Sequence, residues 1–201
     1  MRIRPECLGF LALALGASWV GGQEPPAGPD GPETVLVDFE GDFEPLSLRS
    51  WGVTLSLAPS GGGQALRAEL DPKIPWPFIT LVPKGLYWDL SPYDYMAVDV
   101  TNRGPDTVRV CLSLENPQGN WKYFSNISCT TVAPQETRPL QVFLRRKKPG
   151  WMKLSGMRSY PGGFGEGPNV LDPSDVVRAQ VGVAQPKESY VFELDNLRAG
   201  G

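Results

Sequence analysis

The sequence predicts an all-β fold, a β-sandwich, on three observations. Short runs that alternate apolar and polar residues recur along the chain, and turns rich in Gly, Pro and Asn separate them. No stretch carries the 3.6-residue apolar period of an amphipathic helix. Two such runs bracket the folded region. Val35-Leu36-Val37-Asp38-Phe39-Glu40-Gly41 opens it, and Tyr190-Val191-Phe192-Glu193-Leu194-Asp195-Asn196-Leu197-Arg198 closes it.

From the N-terminus, residues 1–22 read as a secretory signal peptide. Arg2 and Arg4 supply positive charge, Leu8 to Leu15 is apolar, and small residues surround Ala17 to Gly22, a stretch too short to span a membrane. Residues 23–33, Gln23-Glu24-Pro25-Pro26-Ala27-Gly28-Pro29-Asp30-Gly31-Pro32 and Glu33, have too much Pro and Gly for a ladder and read as a disordered linker. Residues 34–201 then make one domain large enough to bury its own core.

Strands are expected at Thr34–Phe39, Val53–Leu57, Ala65–Leu70, Phe78–Val82, Tyr95–Thr101, Val108–Leu114, Tyr123–Val132, Pro139–Leu144, Val176–Val183 and Tyr190–Leu197. Between them lie Pro59-Ser60-Gly61-Gly62-Gly63, Asn102-Arg103-Gly104-Pro105-Asp106, Asn116-Pro117-Gln118-Gly119 and Ala133-Pro134-Gln135-Glu136, all with turn chemistry. One helical turn is expected at Asp172-Pro173-Ser174-Asp175, with Asp172 as cap. Alternation assigns Met96, Val98 and Val100, and Val108, Val110, Leu112 and Leu114, to the core. Arg109, Cys111 and Ser113 then project from the opposite face, towards solvent or a concave groove.

The opening "DFEG" and the closing "DN-L" resemble the first and last strands of galactose-binding-like jelly rolls, the fold of many non-catalytic carbohydrate-binding modules. Tyr87-Trp88-Asp89-Leu90-Ser91-Pro92-Tyr93 followed by Met96-Ala97-Val98-Asp99-Val100-Thr101-Asn102 is similar to a segment of modules attached to bacterial agarases and related polysaccharidases. The resemblance implies a jelly roll that binds polysaccharide without cleaving it, alone or beside a glycoside hydrolase. It also implies a structural Ca2+ joining the first and last strands, with Glu40 and Asp195 as carboxylate ligands and Gly63 lending a carbonyl. Calcium takes six to eight oxygens, so two carboxylates do not suffice, and hydrogen bonding by these acids alone is the competing account.

Formal net charge is −3 and becomes −4 once Arg2, Arg4 and Glu6 leave with the signal. Such a mildly acidic chain argues against nucleic acid or an anionic membrane as partner. Arg145-Arg146-Lys147-Lys148 precedes Pro149-Gly150 and reads as a solvated loop, with contact to an anionic ligand as the alternative. The chain has no histidine, which removes Ser-His-Asp and Cys-His catalysis and histidine zinc sites. A carboxylate pair would still serve glycoside hydrolysis, yet no E-x-D-x-x-E-like cluster is present. An extracellular structural or protein-interaction sandwich is the runner-up function, and a lyase or glycosidase the third. The protein is expected to be a secreted or periplasmic monomer.

Sugar rings stack their C–H faces on aromatic side chains. Trp51 and Trp88 sit among strand-forming neighbours and are assigned to packing. Trp76, held between Pro75 and Pro77, is expected to be displayed near a sheet edge. Trp121 and Tyr123 alternate with Lys122 on one face, and Trp151 and Tyr160 border a Gly-rich stretch. Those five aromatics, with Arg109, Glu115, Asn120 and Lys122 as the nearest hydrogen-bonding groups, form the candidate carbohydrate-binding set. Cys7 leaves with the signal. Cys111 and Cys129 remain and can bridge if their strands form a hairpin centred near Asn120, whereas a register slip would part them. Asn126-Ile127-Ser128 matches a glycosylation pattern and is read as a chance match.

Overall fold

The computed structural model describes residues 32–61, 63–120, 123–144 and 171–201. Among these residues the chain forms eleven strands and a single 3-10 turn at Pro45–Ser47. The strands are β1 (Thr34–Val37), β2 (Arg49–Trp51), β3 (Val53–Ser60), β4 (Gly63–Leu70), β5 (Phe78–Leu81) and β6 (Tyr95–Asn102). The remainder are β7 (Val108–Asn120), β8 (Tyr123–Val132), β9 (Thr137–Phe143), β10 (Arg178–Gly182) and β11 (Val191–Gly200).

They build two antiparallel sheets. A six-stranded sheet runs β3-β4-β11-β6-β9 with β1 also paired to β11, and a five-stranded sheet runs β2-β5-β10-β7-β8. Apart from the β3-β4 and β7-β8 hairpins, neighbouring strands are non-consecutive, so the order is that of a wound sandwich rather than a meander. The core lies between the sheets, where Leu66, Ala68, Met96, Val98, Val100, Phe192 and Leu194 face Ile79, Leu81, Val110, Leu112, Leu114 and Val181. Each set repeats every second residue, as a pleated strand with one buried face requires. Trp88, only 9% exposed, joins this core and bridges to Val176 outside the named strands.

β11 departs from the expected alternation. Its core residues are Phe192 and Leu194, then Leu197 and Ala199, a change of parity. A bulge between Asp195 and Arg198 accounts for it, with Asn196 at φ 53°. On one side of the bulge β11 pairs with β4 through Val191–Leu194, and beyond it with β1 through Leu197–Ala199. The bulge thus lets one strand serve two successive partners along the same edge.

Several expectations change. β2 was not expected, because three residues are too few to show a period. β7 continues through Asn116-Pro117-Gln118-Gly119 instead of turning there, and Asn116 is buried. The turn expected at Asp172-Pro173-Ser174-Asp175 forms without becoming helical: Asp175 N donates to the Asp172 carbonyl at 3.3 Å, and Asp172 caps it as expected, its Oδ1 accepting from Ser174 N at 2.9 Å and from Ser174 Oγ at 2.7 Å. Asn116 Nδ2 secures it by donating to the carbonyls of Asp172 and Asp175 at 2.8 and 2.6 Å. Glu33, placed in the linker by composition, is part of the domain. Tyr95 Oη donates to its carboxylate at 2.6 Å, and Arg198 Nε lies 2.9 Å away.

Candidate functional site

Register fixes what the outer face of the five-stranded sheet presents. One cross-strand row is Arg49, Thr80, Gln180, Ser113 and Ile127. A second is Trp51, Phe78, Gly182, Cys111 and Cys129, and a third holds Arg178, Glu115 and Ser125. An open groove of about 390 Å³ lies on this face, lined by Arg49, Phe78, Thr80, Val82, Val177, Arg178 and Gln180. Trp51 continues the Phe78 row at the sheet edge and is 60% exposed. It was expected to pack, but it lies on a three-residue strand at the sheet edge with only β5 beside it among the described residues. Gly182 keeps the middle of that row low, since a Cβ there would come within 2.5 Å of the Pro77 carbonyl oxygen.

Arg178 is held in place from below. Its Nε donates to Glu115 Oε2 at 2.6 Å and its Nη2 to the Gly119 carbonyl at 2.8 Å, while Ser113 Oγ approaches Glu115 Oε1 at 3.3 Å. Glu115 is 2% exposed, so the reading of it as a surface or ligand-contacting acid is corrected: it faces the groove side but is spent on Arg178. Such a pair orients a guanidinium whose side chain remains about a third exposed.

Of the other sequence candidates, Arg109 is exposed on the same outer face, opposite Thr131. Trp76 is 60% exposed in the loop before β5 and is not among the groove-lining residues. Asn120 and Tyr123 pair at the end of the β7–β8 hairpin, and only their backbone is described. Trp121, Lys122, Trp151, Tyr160 and the run Arg145 to Lys148 lie outside the described residues. Cys111 and Cys129 are register partners and are bonded, with S–S 2.01 Å. Their bridge therefore lies on the outer face, in the row of Trp51 and Phe78. Asn126 Nδ2 donates to the Phe143 carbonyl at 2.8 Å, so the amide of the glycosylation pattern is already engaged.

The junction of first and last strands gathers acids. Glu40 Oε1 accepts the Gln64 amide at 2.8 Å and lies over Gly63, where any Cβ would displace the Glu40 carboxylate. Asp195 has its carboxyl pushed above the ordinary range, first by burial and further by the charges of Asp99, Glu40 and Asp38; the Asn196 amide, bonded at 2.8 Å, works against this. Gln64 Oε1 is buried without a hydrogen-bond partner. Among the described residues, no group of three His, Cys, Asp or Glu side chains converges to hold a metal. The donors present are all oxygens, a set that suits a hard cation if amide and backbone oxygens complete it.

No protein-family model and no curated protein matches the chain. Among solved structures it superposes on an exo-β-agarase with TM-score 0.64 and 16% identity, covering 82% of this chain and 25% of that one. A second agarase gives TM-score 0.62 and 16% identity over 84% of this chain and 24% of that one. A family 11 carbohydrate-binding module from Clostridium thermocellum, in complex with a β-1,3-1,4-mixed-linked tetrasaccharide, gives 0.56 and 16% over 85% and 96%. The chain thus spans about a quarter of each agarase but nearly the whole module. At this identity the likeness is one of fold, and the fold is the jelly-roll sandwich the sequence led us to expect.

Proposed function

We propose that the chain is a non-catalytic module that binds polysaccharide on the outer face of its five-stranded sheet. The observation that carries this reading is the groove itself: Trp51 beside Phe78 offers a stacking surface, and one row away the half-buried Gln180, whose Nε2 donates to the buried Thr80 hydroxyl at 3.4 Å, brings an amide to the groove wall. A concave, amphipathic surface suits a sugar chain better than the flat apolar patch a protein partner would need. The near end-to-end likeness to a module that holds a tetrasaccharide supports the same reading. Glu115, the groove-side acid, is buried against Arg178, which supports the absence of glycoside hydrolysis. The protein is exported after loss of residues 1–22, acts as a monomer and works alone or beside a glycoside hydrolase, as the agarase likenesses suggest.

Affinity electrophoresis against a polysaccharide panel tests the site. Trp51→Ala is expected to weaken binding about tenfold while the melting temperature stays put. Unchanged affinity would refute the groove as the binding face. Reducing-sugar release from the same panel would refute the non-catalytic assignment.

A structural calcium between the first and last strands is the second part of the proposal, with Glu40, Asp195 and the carbonyl of Gly63 as ligands. Its support is the crowding of carboxylates around Asp195 and the unpartnered Gln64 Oε1. A cation bound only by the native state raises the melting temperature by mass action, so chelation should lower it. A melting curve indifferent to chelator and calcium rules the ion out.

A further inference from the structure

We infer that the groove is built for an anionic glycan, one bearing sulfate esters or carboxylates; this inference rests on the polysaccharide-binding reading above. The charged residues of the five-stranded sheet carry it. Among the described strands β2, β5, β10, β7 and β8, the charged residues are Arg49, Arg178, Arg109 and Glu115, three arginines against one glutamate. All four side chains belong to the outer face by register. This happens in a chain whose formal net charge is −3. Positive charge has been gathered here against the overall balance.

The single glutamate does not neutralise the face as seen by a ligand. It is buried and committed to Arg178, while Arg49 and Arg109 are exposed and make no ion pair with any described carboxylate. Arg178 has two of its donors fixed by Glu115 and the Gly119 carbonyl, so its guanidinium is oriented before any ligand arrives. A planar fork of N–H donors matches sulfate and carboxylate oxygens better than it matches a lone hydroxyl. Adjacent strands lie about 4.8 Å apart, so the backbones bearing Arg49 and Arg178, two strands apart, are separated by roughly 10 Å. That distance lets one polymer engage both cations while crossing the exposed Val82, which follows the strand between them and lines the groove.

The test compares polymers that differ in charge. The full secreted chain is titrated with agarose, with carrageenan as a sulfated galactan and with alginate as a uronate polymer, at low and at physiological ionic strength. The sulfated or the uronate polymer is expected to bind at least about tenfold more tightly than agarose at low salt, with the advantage shrinking as salt rises. Which of the two wins identifies sulfate or carboxylate as the recognised group. Arg49→Gln combined with Arg109→Gln should bring charged and neutral polymers to the same affinity, with an unaltered melting temperature. Agarose binding as tight as both charged polymers overturns the inference and leaves the polysaccharide reading intact. Failure of every polysaccharide overturns both. Duplex DNA bound as tightly as carrageenan also overturns it, because the face would then be a general polyanion attractant.

Discussion

The outer faces of the two sheets handle charge in opposite ways. On the six-stranded sheet, Glu193 is buried between Arg67 at 3.5 Å and Arg103 at 2.7 Å, and Arg198 reaches Glu33 and Asp99, each at 2.9 Å. Thr101 and Thr137 hydroxyls bond to each other at 2.8 Å. Polar groups there answer one another across strands, which holds β1, β4, β6 and β11 in register. On the five-stranded sheet, among the described residues, the Glu115–Arg178 pair is closed and Gln180 Nε2 reaches Thr80 Oγ1 at a long 3.4 Å, while Arg49, Arg109 and the Trp51 ring are left to solvent. A face that satisfies itself is structural. One that keeps unused donors and exposed rings retains capacity for a ligand.

Tryptophan substitutions test that contrast most strongly. Trp88→Ala should cost about 3–5 kcal/mol because the residue is core, whereas Trp51→Ala should stay within about 0.5 kcal/mol and act on binding. Chemical denaturation of both variants checks it, and a fold damaged by Trp51→Ala would mean the groove face is structural after all. Next come the two glutamate networks. Arg178→Met strands a buried Glu115 and should cost about 3 kcal/mol. Glu193→Gln leaves two partly exposed arginines that water can reach, and should cost only about 1 kcal/mol. Equal costs would erase the distinction between a lone closed pair and a shared one.

The smallest effect belongs to Asp195, the exception on the six-stranded side, which faces Asp99 in the ladder. Its folded pKa is raised, so ionisation is penalised in the native state at neutral pH. The penalty is full above the folded pKa and fades as pH falls through it towards the unfolded value. In chelator, Asp195→Asn should therefore raise the melting temperature at neutral pH and lose that advantage in acid. With calcium present and bound, the same substitution should lower it. Thermal melts under the four conditions show whether the sign crosses.

Local pattern made the sandwich legible. Val108, Val110, Leu112 and Leu114 announce a buried face, and Cys111 does face Cys129, though not because the hairpin centres on Asn120: Asn120 pairs with Tyr123, and a register shift between Glu115 and Asn120 brings the cysteines opposite each other. The parity break from Leu194 to Leu197 also marked the bulge, though the period-2 reading ran past it. The groove was harder to read because its parts are distant in sequence. Arg109 and Ser113 could be placed on the outer face by alternation, but nothing near Glu115 reveals that Arg178 will cover it. Trp51 stands among residues whose pattern is too short to tell an edge strand from a loop. Burial there is decided by sheet order, which no local window contains.

The sheet that carries the groove has two unlike edges. On one side the β7–β8 hairpin is stapled by Cys111–Cys129, a cross-link over 18 residues that keeps this edge closed even when the ladder breathes. On the other, β2 is three residues long and pairs with β5 alone. Arg49 and Trp51 therefore ride on the part of the sheet that opens most cheaply, and amide hydrogen exchange should be faster at β2 than at β7. A bound polymer that touches both strands adds its binding free energy to the weaker edge. Ligand should thus slow exchange at β2 far more than at β7, making this short strand the place where occupancy is recorded as rigidity.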